Sequence, residues 1–267
     1  MSRRSLSAAY ASEEAPVCFP PLTFSEADRV RFLHFGSPWI QGAMYLNRPN
    51  QIVFEYVQQM MGWLLFLEAP QRVVQLGLGA AALTKFCYSN FPLADVLAVE
   101  LNPEVIVAAH SMFRLPPEDR RLTLVQADAG TFIRQPQHRN WATVIQVDLY
   151  DEHARGPVLD SVSFYRACRA ALQSPGMLTV NLFGDPENLP QSVQNLRDAF
   201  DGRVLTFAPV HQGNVVAFAF NGSTLKVPWE ALYARAAWLE QCHGWPVSKW
   251  LAGLRMLNPQ SRKILEI

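Results

Sequence analysis

Four successive apolar segments of this 267-residue chain each end in glycines or acids. In chain order, these endings are Gly77-Leu78-Gly79, Glu100, Asp128 and the run DLYDE at 148–152. If the segments are parallel strands of one sheet, their carboxyl ends line a single crevice, which is where ligands bind in open parallel sheets. The order of these groups therefore predicts one ligand site built from four strand ends.

The first three endings suit a nucleoside. A glycine turn lets a ligand approach the backbone, and the helix that follows offers free N–H groups and the positive end of its dipole. Glu100 is placed to accept hydrogen bonds from two ribose hydroxyls, and Asp128 to accept one from an adenine amino group. Each signal alone is weak, because strand–helix corners often need glycine and an acid often caps a helix or lies in a turn. Taken together in this order, they predict a nucleoside cofactor.

A nicotinamide dinucleotide is the first competing ligand. Its fingerprint also combines a glycine turn with a ribose-binding acid, and Ala82 in the third glycine position of GLGAAA is tolerated. Hydride transfer, however, leaves no task for Asp128 or for the acids of DLYDE. The predicted closing hairpin also suits a methyltransferase-type domain better.

The run DLYDE carries the candidate catalytic groups. Acids close together attract a cation and raise each other's pKa, so a protonated amine is the expected guest. We expect Asp148 to act as general base or to orient the amine, with Tyr150 or Asp151 assisting. The alternative is a solvated turn at a strand end.

The elements that must position these groups follow from the pattern of apolar residues. Strands are predicted at 72–76, 96–100, 122–126, 142–148 and 177–183, with helices between them. Asn102-Pro103-Glu104 has the cap, proline and acid of a helix start. Segments 204–208 and 215–220 flank His211–Asn214 as a hairpin. The pattern predicts a mostly parallel sheet with helices on both faces, in a three-layer sandwich closed by an antiparallel hairpin.

The rest of the chain is divided by composition. Residues 1–16 are small and polar and are expected to be disordered. Residues 17–67 are predicted to form a short β segment, with extended pieces at 31–35 and 40–46, and a helix over 51–67. The α/β domain is expected over 68–222, and a tryptophan-rich helical tail over 223–267. The tail either packs on the core or forms a cover over the site or a homodimer interface.

Composition excludes several classes of protein. With 23 basic and 23 acidic residues the net charge is zero, so a nucleic-acid partner is not expected. The four cysteines, Cys18, Cys87, Cys168 and Cys242, and the six histidines show no metal-ligand spacing, so no metal is expected. Residues 1–16 have no apolar region, so we expect no secretory signal, and the apolar runs of the chain, such as Trp63–Leu67, are too short to cross a membrane. We therefore expect a cytoplasmic protein with free thiols.

From about Gln41 to Phe220 the chain resembles the spermidine synthase family, which has the S-adenosylmethionine (SAM) methyltransferase fold. GLGAAA at 77–82 matches the family's GGGDGG loop, Glu100 in VELNPEVI its ribose-binding acid, and Asp128 in QADAGTF its GDA-type adenine contact. DLYDE matches the DSTDP-type catalytic loop. Gln41 matches an upstream glutamine that contacts the nucleoside, and FYRACRAALQSPGMLTVNL also resembles the family.

The resemblance implies a transferase that binds SAM or decarboxylated SAM and moves an aminopropyl or methyl group to an amine. The residues implied for the nucleoside are Gln41, Gly77, Leu78, Gly79, Glu100, Leu101, Asp128 and Ala129. Those implied for catalysis are Asp148, Tyr150 and Asp151.

Two departures from the family bear on the donor. The family's glycine-loop aspartate, which binds the amine of decarboxylated SAM, is Ala80 here, and its Tyr-His-Glu segment is Tyr56-Val57-Gln58. An ammonium without a counter-charge is costly in a closed site, so the change favours SAM, which carries its own carboxylate. A methyltransferase of a small nucleophile, or a nucleoside-binding homologue without catalysis, are the alternatives.

Overall fold

The computed structural model describes residues 19–151, 156–184, 187–210, 213–258 and 263–267. The predictions for residues 1–16, Cys18, Glu152 and the turn residues His211 and Gln212 lie outside these ranges.

Seven strands of the described chain form the central sheet. They are β4 (Arg72–Leu76), β5 (Asp95–Glu100), β6 (Leu122–Gln126), β7 (Ala142–Val147), β8 (Leu172–Leu182), β9 (Val204–Thr206) and β10 (Val215–Asn221). Their order is β6-β5-β4-β7-β8-β10-β9, and β4 to β8 are parallel to their neighbours while β10 pairs antiparallel with β8 and β9. The predicted fold class is confirmed: a mostly parallel Rossmann-like sheet that ends in an antiparallel pair.

A separate antiparallel sheet precedes it, with strands β1 (Leu22–Ala27), β2 (Val30–Phe35) and β3 (Gly42–Tyr45). The strands β2 and β3 coincide with the predicted extended pieces, whereas β1 was not predicted. Five of the six residues of β1 are exposed, so it lacks the apolar alternation that marks a half-buried strand.

Helices cover both faces of the central sheet. They are α1 (Glu55–Met60), α2 (Ala82–Asn90), α3 (Pro103–Ser111), α4 (Ala129–Ile133), α5 (Val162–Ala171), α6 (Leu189–Ala199), α7 (Trp229–His243) and α8 (Val247–Leu257). The first three and the last two pack on one face, and α4 to α6 on the other. Consecutive strand residues point to opposite faces, as Val73 and Val74 do in β4, so both core clusters draw on every second residue.

Two predicted segments differ from the structure. The helix expected over 51–67 is interrupted at Met61: α1 ends at Met60, and a 3₁₀ turn spans Gly62–Leu65. At Gly62, a Cβ atom would lie 2.7 Å from the ring of Phe207, so only glycine allows this close packing. The predicted turn Ser174-Pro175-Gly176 is an irregularity within β8, where the pairing with β7 shifts register.

The tryptophan-rich tail packs on the core. Trp229, Trp245 and Trp250 are buried in the same cluster as α1 and α2. Trp238 is 46% exposed and stacks with Arg235, whose side chain also donates to the carbonyl of Leu64. The described part of the tail contributes no lining residue to the cleft described below, which favours packing on the core over the alternative of a cover over the site.

Candidate active site

A cleft of about 780 Å³ lies at the carboxyl ends of the parallel strands. Its floor comes from the segments that follow β4, β5, β6 and β7, and one wall comes from residues 35–41 of the small N-terminal sheet and its loop. All eleven candidate site residues predicted from the sequence line it: Gln41, Gly77, Leu78, Gly79, Glu100, Leu101, Asp128, Ala129, Asp148, Tyr150 and Asp151. The four strand ends therefore meet in one place, as their order predicts.

The glycine turn after β4 is shaped by close backbone contacts. Gly77 has a φ of +91° and donates its N–H to the carbonyl of Val99 at 2.9 Å. A Cβ atom on Gly77 would collide with the backbone carbonyl of Asp148, and Gly79 also lies in the left-handed region, at a φ of +50°. Glycine is needed at position 77 because the ends of β4 and β7 lie too close together for a side chain there. Without side chains at Gly77 and Gly79, the turn is open toward the cleft.

Glu100 at the end of β5 organises this turn. One carboxylate oxygen accepts the N–H of Leu78 at 3.0 Å, and the other accepts the N–H of Asn102 at 2.9 Å. Burial raises the pKa of Glu100, and the backbone hydrogen bonds oppose that rise. The backbone amides of Gly79 and Leu101 act on the same carboxylate. Glu100 also lines the cleft, where its oxygens can accept hydrogen bonds from hydroxyl donors.

Asp128, after β6, caps a helix. Its side chain accepts the N–H of Thr131 at 2.7 Å and begins α4, and the residue is exposed at the edge of the cleft. Ala129 is the buried first residue of α4, and Leu101 is 46% exposed beside it on the cleft wall. Asp128 is thus a helix cap rather than the turn residue that was its alternative from the sequence, and its second carboxylate oxygen is not used by the cap.

Asp148 lies on the cleft floor and is partly buried. The side-chain amide of Asn181 donates to its Oδ1 at 2.9 Å. Burial raises the pKa of Asp148 to about 6, and the hydrogen bond from Asn181 acts in the opposite direction. From the sequence, neighbouring acids were expected to raise this pKa, whereas in the structure burial is the dominant cause.

Tyr150 and Asp151, the other two candidate catalytic residues, and Gln41 take part in hydrogen bonds within the protein. The Tyr150 hydroxyl donates to the backbone carbonyl of Asn181 at 2.7 Å, and its ring packs 6.2 Å from that of Phe183. Gln41 donates its side-chain amide to the backbone carbonyl of Asp151 at 2.9 Å. Tyr150 therefore presents its ring to the cleft, and Gln41 fastens the N-terminal wall to the loop after β7.

Three lining residues were missed as site residues from the sequence: Asn181 at the end of β8, Asn214 just before β10, and Tyr56 in α1. Asn181 and Asn214 are buried, 1% and 6% exposed, in otherwise apolar strand segments. A polar side chain inside an apolar run was the available signal, because such groups are buried only with partners. Tyr56 was noted only as part of a matched segment, and burial and Asp148 both raise its pKa.

Ala80 occupies the loop position that carries an aspartate in the family that the sequence resembles. It is 3% exposed and packs with Leu33, Met44 and Phe113. A Cβ atom on Gly42 would lie only 2.7 Å from that of Ala80, so β3 and the loop are in tight contact. A small cavity of about 30 Å³ separates this point from Tyr56 and Asp148.

Within the described ranges, no group of three or more histidine, cysteine, aspartate or glutamate side chains is arranged to hold a metal ion. No helix in this part of the chain is both long and apolar enough to span a membrane.

Comparison with known proteins gives relatives of one family and a common fold. No family model matches the chain. A polyamine aminopropyltransferase of Neisseria meningitidis serogroup A is 34% identical over 246 residues, which cover 92% of this chain and 93% of the relative.

Two solved structures share the fold. A probable spermidine synthase from Corynebacterium glutamicum has a TM-score of 0.68 and 19% identity, and the match covers 87% of this chain and 91% of that one. Human methyltransferase-like protein 13 in complex with SAH has a TM-score of 0.60 and 20% identity, over 73% of this chain and 94% of that one. At these identities the two likenesses show the fold alone.

Proposed function

The chain belongs to the polyamine aminopropyltransferase family, and we propose that it is a transferase that moves an alkyl group from SAM or decarboxylated SAM to a small amine. The observation that carries the proposal is the position of Asp148 in the same cleft as the glycine turn and Glu100. Within the described ranges, no lysine or arginine forms an ion pair with Asp148, so its charge is available to a cationic guest.

The residues of the cleft fit a sulfonium nucleoside. Glycine at positions 77 and 79 keeps the turn free of side chains, and Glu100 offers carboxylate oxygens at the place where a ribose would lie. When bound, such a nucleoside supplies an electrophilic carbon attached to a good leaving group. The protein then has to align the amine with that carbon rather than activate the donor.

Asp148 is suited to the acceptor. As the new C–N bond forms and the C–S bond breaks, the electron pair of the C–S bond goes to sulfur, and the amine nitrogen must lose a proton. A carboxylate with a pKa of about 6 is mainly ionised at pH 7, so it holds an ammonium and takes up its proton. The rings of Tyr56 and Tyr150 flank this position in the cleft and suit an alkyl chain.

Methyl transfer from intact SAM is a second candidate, and Ala80 is the observation that favours it. An alanine packed among apolar side chains supplies no counter-charge for the amine of decarboxylated SAM. SAM brings its own carboxylate beside that amine, so it needs less from the protein. We propose that the wild-type chain prefers SAM and transfers an aminopropyl group to putrescine weakly or not at all.

Calorimetric titration with SAM and with decarboxylated SAM tests both statements. Wild type should bind SAM more tightly, and Ala80→Asp should shift the preference toward decarboxylated SAM because it supplies the missing charge. Ala80→Asn is the matched control, because asparagine has the shape of aspartate without its charge. This variant should leave the preference unchanged. Binding of neither nucleoside would contradict the transferase proposal, whereas strong spermidine formation by wild type would contradict only the preference for SAM.

The location and the partners belong to the same proposal. Cys87, Cys168 and Cys242 are free thiols, which agrees with a reducing cytoplasmic compartment. A homodimer without a nucleic-acid or membrane partner is the assembly we expect, and light scattering after gel filtration measures its mass directly.

A further inference from the structure

A chain of three side chains leads from the cleft floor into the central sheet. Asn214 donates its amide N–H to Oδ1 of Asn181 at 3.0 Å, and Asn181 donates its own to Oδ1 of Asp148 at 2.9 Å. Asn181 lies in β8 opposite Val216 of the antiparallel strand β10, and Asn214 lies just before β10. Both amides are buried, so their orientations are set by each other and by Asp148.

The direction of this chain follows from what each group is able to donate. An ionised carboxylate only accepts hydrogen bonds, so Asn181 must turn its NH₂ group toward Asp148. Its carbonyl oxygen then faces Asn214, which must supply an N–H. If the Asn181 amide were reversed, it would place an oxygen against the Asp148 carboxylate and an NH₂ against the NH₂ of Asn214. Asn214 therefore fixes the amide of Asn181 in the orientation that stabilises the charged form of Asp148.

We propose that Asn181 and Asn214 are positioning residues that hold Asp148 ionised and directed into the cleft. The task assigned to Asp148 rests on the proposed function, but the effect on its ionisation does not. A second contact holds the loop to the same strand, because the Tyr150 hydroxyl donates to the backbone carbonyl of Asn181. The side chain that aims Asp148 and the backbone that anchors its loop thus belong to one residue.

The titratable groups that surround Asp148 are two phenols and the acids of the cleft. Tyr56 faces it from α1 and Tyr150 from its own loop, and burial raises the pKa of both phenols well above the ordinary value, so both stay neutral. Among the described residues, the other acids that line the cleft are Asp151, on the same loop, Glu100 and Asp128. Since burial raises the pKa of Asp148 to about 6, loss of the Asn181 donor should carry that pKa toward or above neutrality.

Carbon-13 NMR of the aspartate carboxyl groups tests this in the whole protein without donor or acceptor. The Asp148 signal, assigned with Asp148→Asn, should titrate with a pKa near 6 in wild type. In Asn181→Leu the pKa should rise by about one pH unit, the size expected for one hydrogen bond to a charged group. Asn214→Leu should produce a smaller rise, because Asn181 remains but its amide is no longer held in one orientation.

Thr179→Val is the matched control. Thr179 lies on the same face of β8 two residues before Asn181, and its buried hydroxyl has no hydrogen-bond partner within the described residues. Its replacement should leave the Asp148 titration unchanged. An unchanged pKa in folded Asn181→Leu would overturn the proposal; if that variant does not fold, an unchanged pKa in Asn214→Leu would do so.

The activity profile separates this proposal from the proposed function. If the chain transfers an alkyl group, the acid limb of the kcat profile should move to higher pH in Asn181→Leu, while nucleoside affinity stays the same. A shifted NMR titration in a protein with no transfer activity would support the positioning role and contradict the transferase. Transfer activity with an unshifted titration would do the reverse.

Discussion

Glu100 and Asp148 line one cleft from the two strands that flank β4, yet the protein holds them in different ways. Backbone amides of Leu78 and Asn102 hold both oxygens of Glu100, whereas the side-chain amide of Asn181 holds Asp148. Burial raises the pKa of both acids. Glu100 is thus part of the backbone turn that it would use to bind a ligand, and Asp148 is tuned by side chains that a single substitution changes.

This difference predicts two kinds of sensitivity. Changes at the Glu100 end should alter ligand affinity and the local turn together, because the same carboxylate serves both. Changes at the Asp148 end should alter turnover and pH dependence while the nucleoside half stays intact.

Asp148→Asn should have the largest effect on turnover. The substitution keeps the shape and removes the charge and the proton acceptor, so kcat should fall about 100- to 10,000-fold. Calorimetry with the nucleoside should give the wild-type affinity, because the carboxylate is assigned to the amine. An equal loss of nucleoside affinity would contradict the division of the cleft into two halves, and unchanged turnover would contradict the role of Asp148.

Glu100→Ala should weaken nucleoside binding by about 1–3 kcal/mol, because the amides of Leu78 and Asn102 lose their acceptor and the ribose loses its partner. Isothermal calorimetry measures the change directly. Glu104→Ala removes an exposed acid from the first turn of α3, four residues away, and should bind as wild type does. Wild-type affinity in Glu100→Ala would show that the ribose lies elsewhere.

The pH dependence of stability should report the ionisation of Asp148. The folded pKa of Asp148, about 6, lies above its ordinary value of 3.8, so the folded chain takes up a proton first as the pH falls. The stability linked to this group is present below pH 4 and is lost as the pH rises through 6. As the pH rises from 5 to 7.5, the free energy of unfolding of Asp148→Asn should therefore increase relative to that of wild type, as measured by denaturant titrations. A constant difference across that range would mean that Asp148 has an ordinary pKa.

The Glu100 end of the cleft was easier to predict from the sequence than the Asp148 end. Gly77, Glu100 and Asp128 follow strands that are parallel and adjacent, so their meeting follows from the periodicity of the chain and from the geometry of parallel sheets. Asn181 and Asn214 are 33 residues apart and meet because β8 and β10 pair antiparallel in one register. That register is set by the packing of whole strands, so no local spacing marks the two asparagines as partners.

The same reasoning explains what was missed outside the cleft. The exposed strand β1 is held by its antiparallel pairing with β2 rather than by an apolar face. The pairing runs from Leu22, opposite Phe35, to Ala27, opposite Val30. The break between α1 and the 3₁₀ turn depends on rings from β10 and the segment after β9 that approach Gly62. Both are effects of tertiary contact, which override a helical or polar pattern in the sequence.

Asp128 gives the smallest expected effect, because one of its carboxylate oxygens already caps α4. Asn is as good a helix cap as Asp, so Asp128→Asn should keep the free energy of unfolding, while Asp128→Ala should lose about 1 kcal/mol. If the second oxygen accepts the adenine amino group, Asp128→Asn should weaken binding of S-adenosylhomocysteine by about 1 kcal/mol. It should leave S-inosylhomocysteine, which lacks that amino group, unaffected. Equal affinities of wild type and Asp128→Asn for the adenosyl compound would leave Asp128 as a helix cap alone, and the adenine would then be held by the apolar wall that includes Leu101.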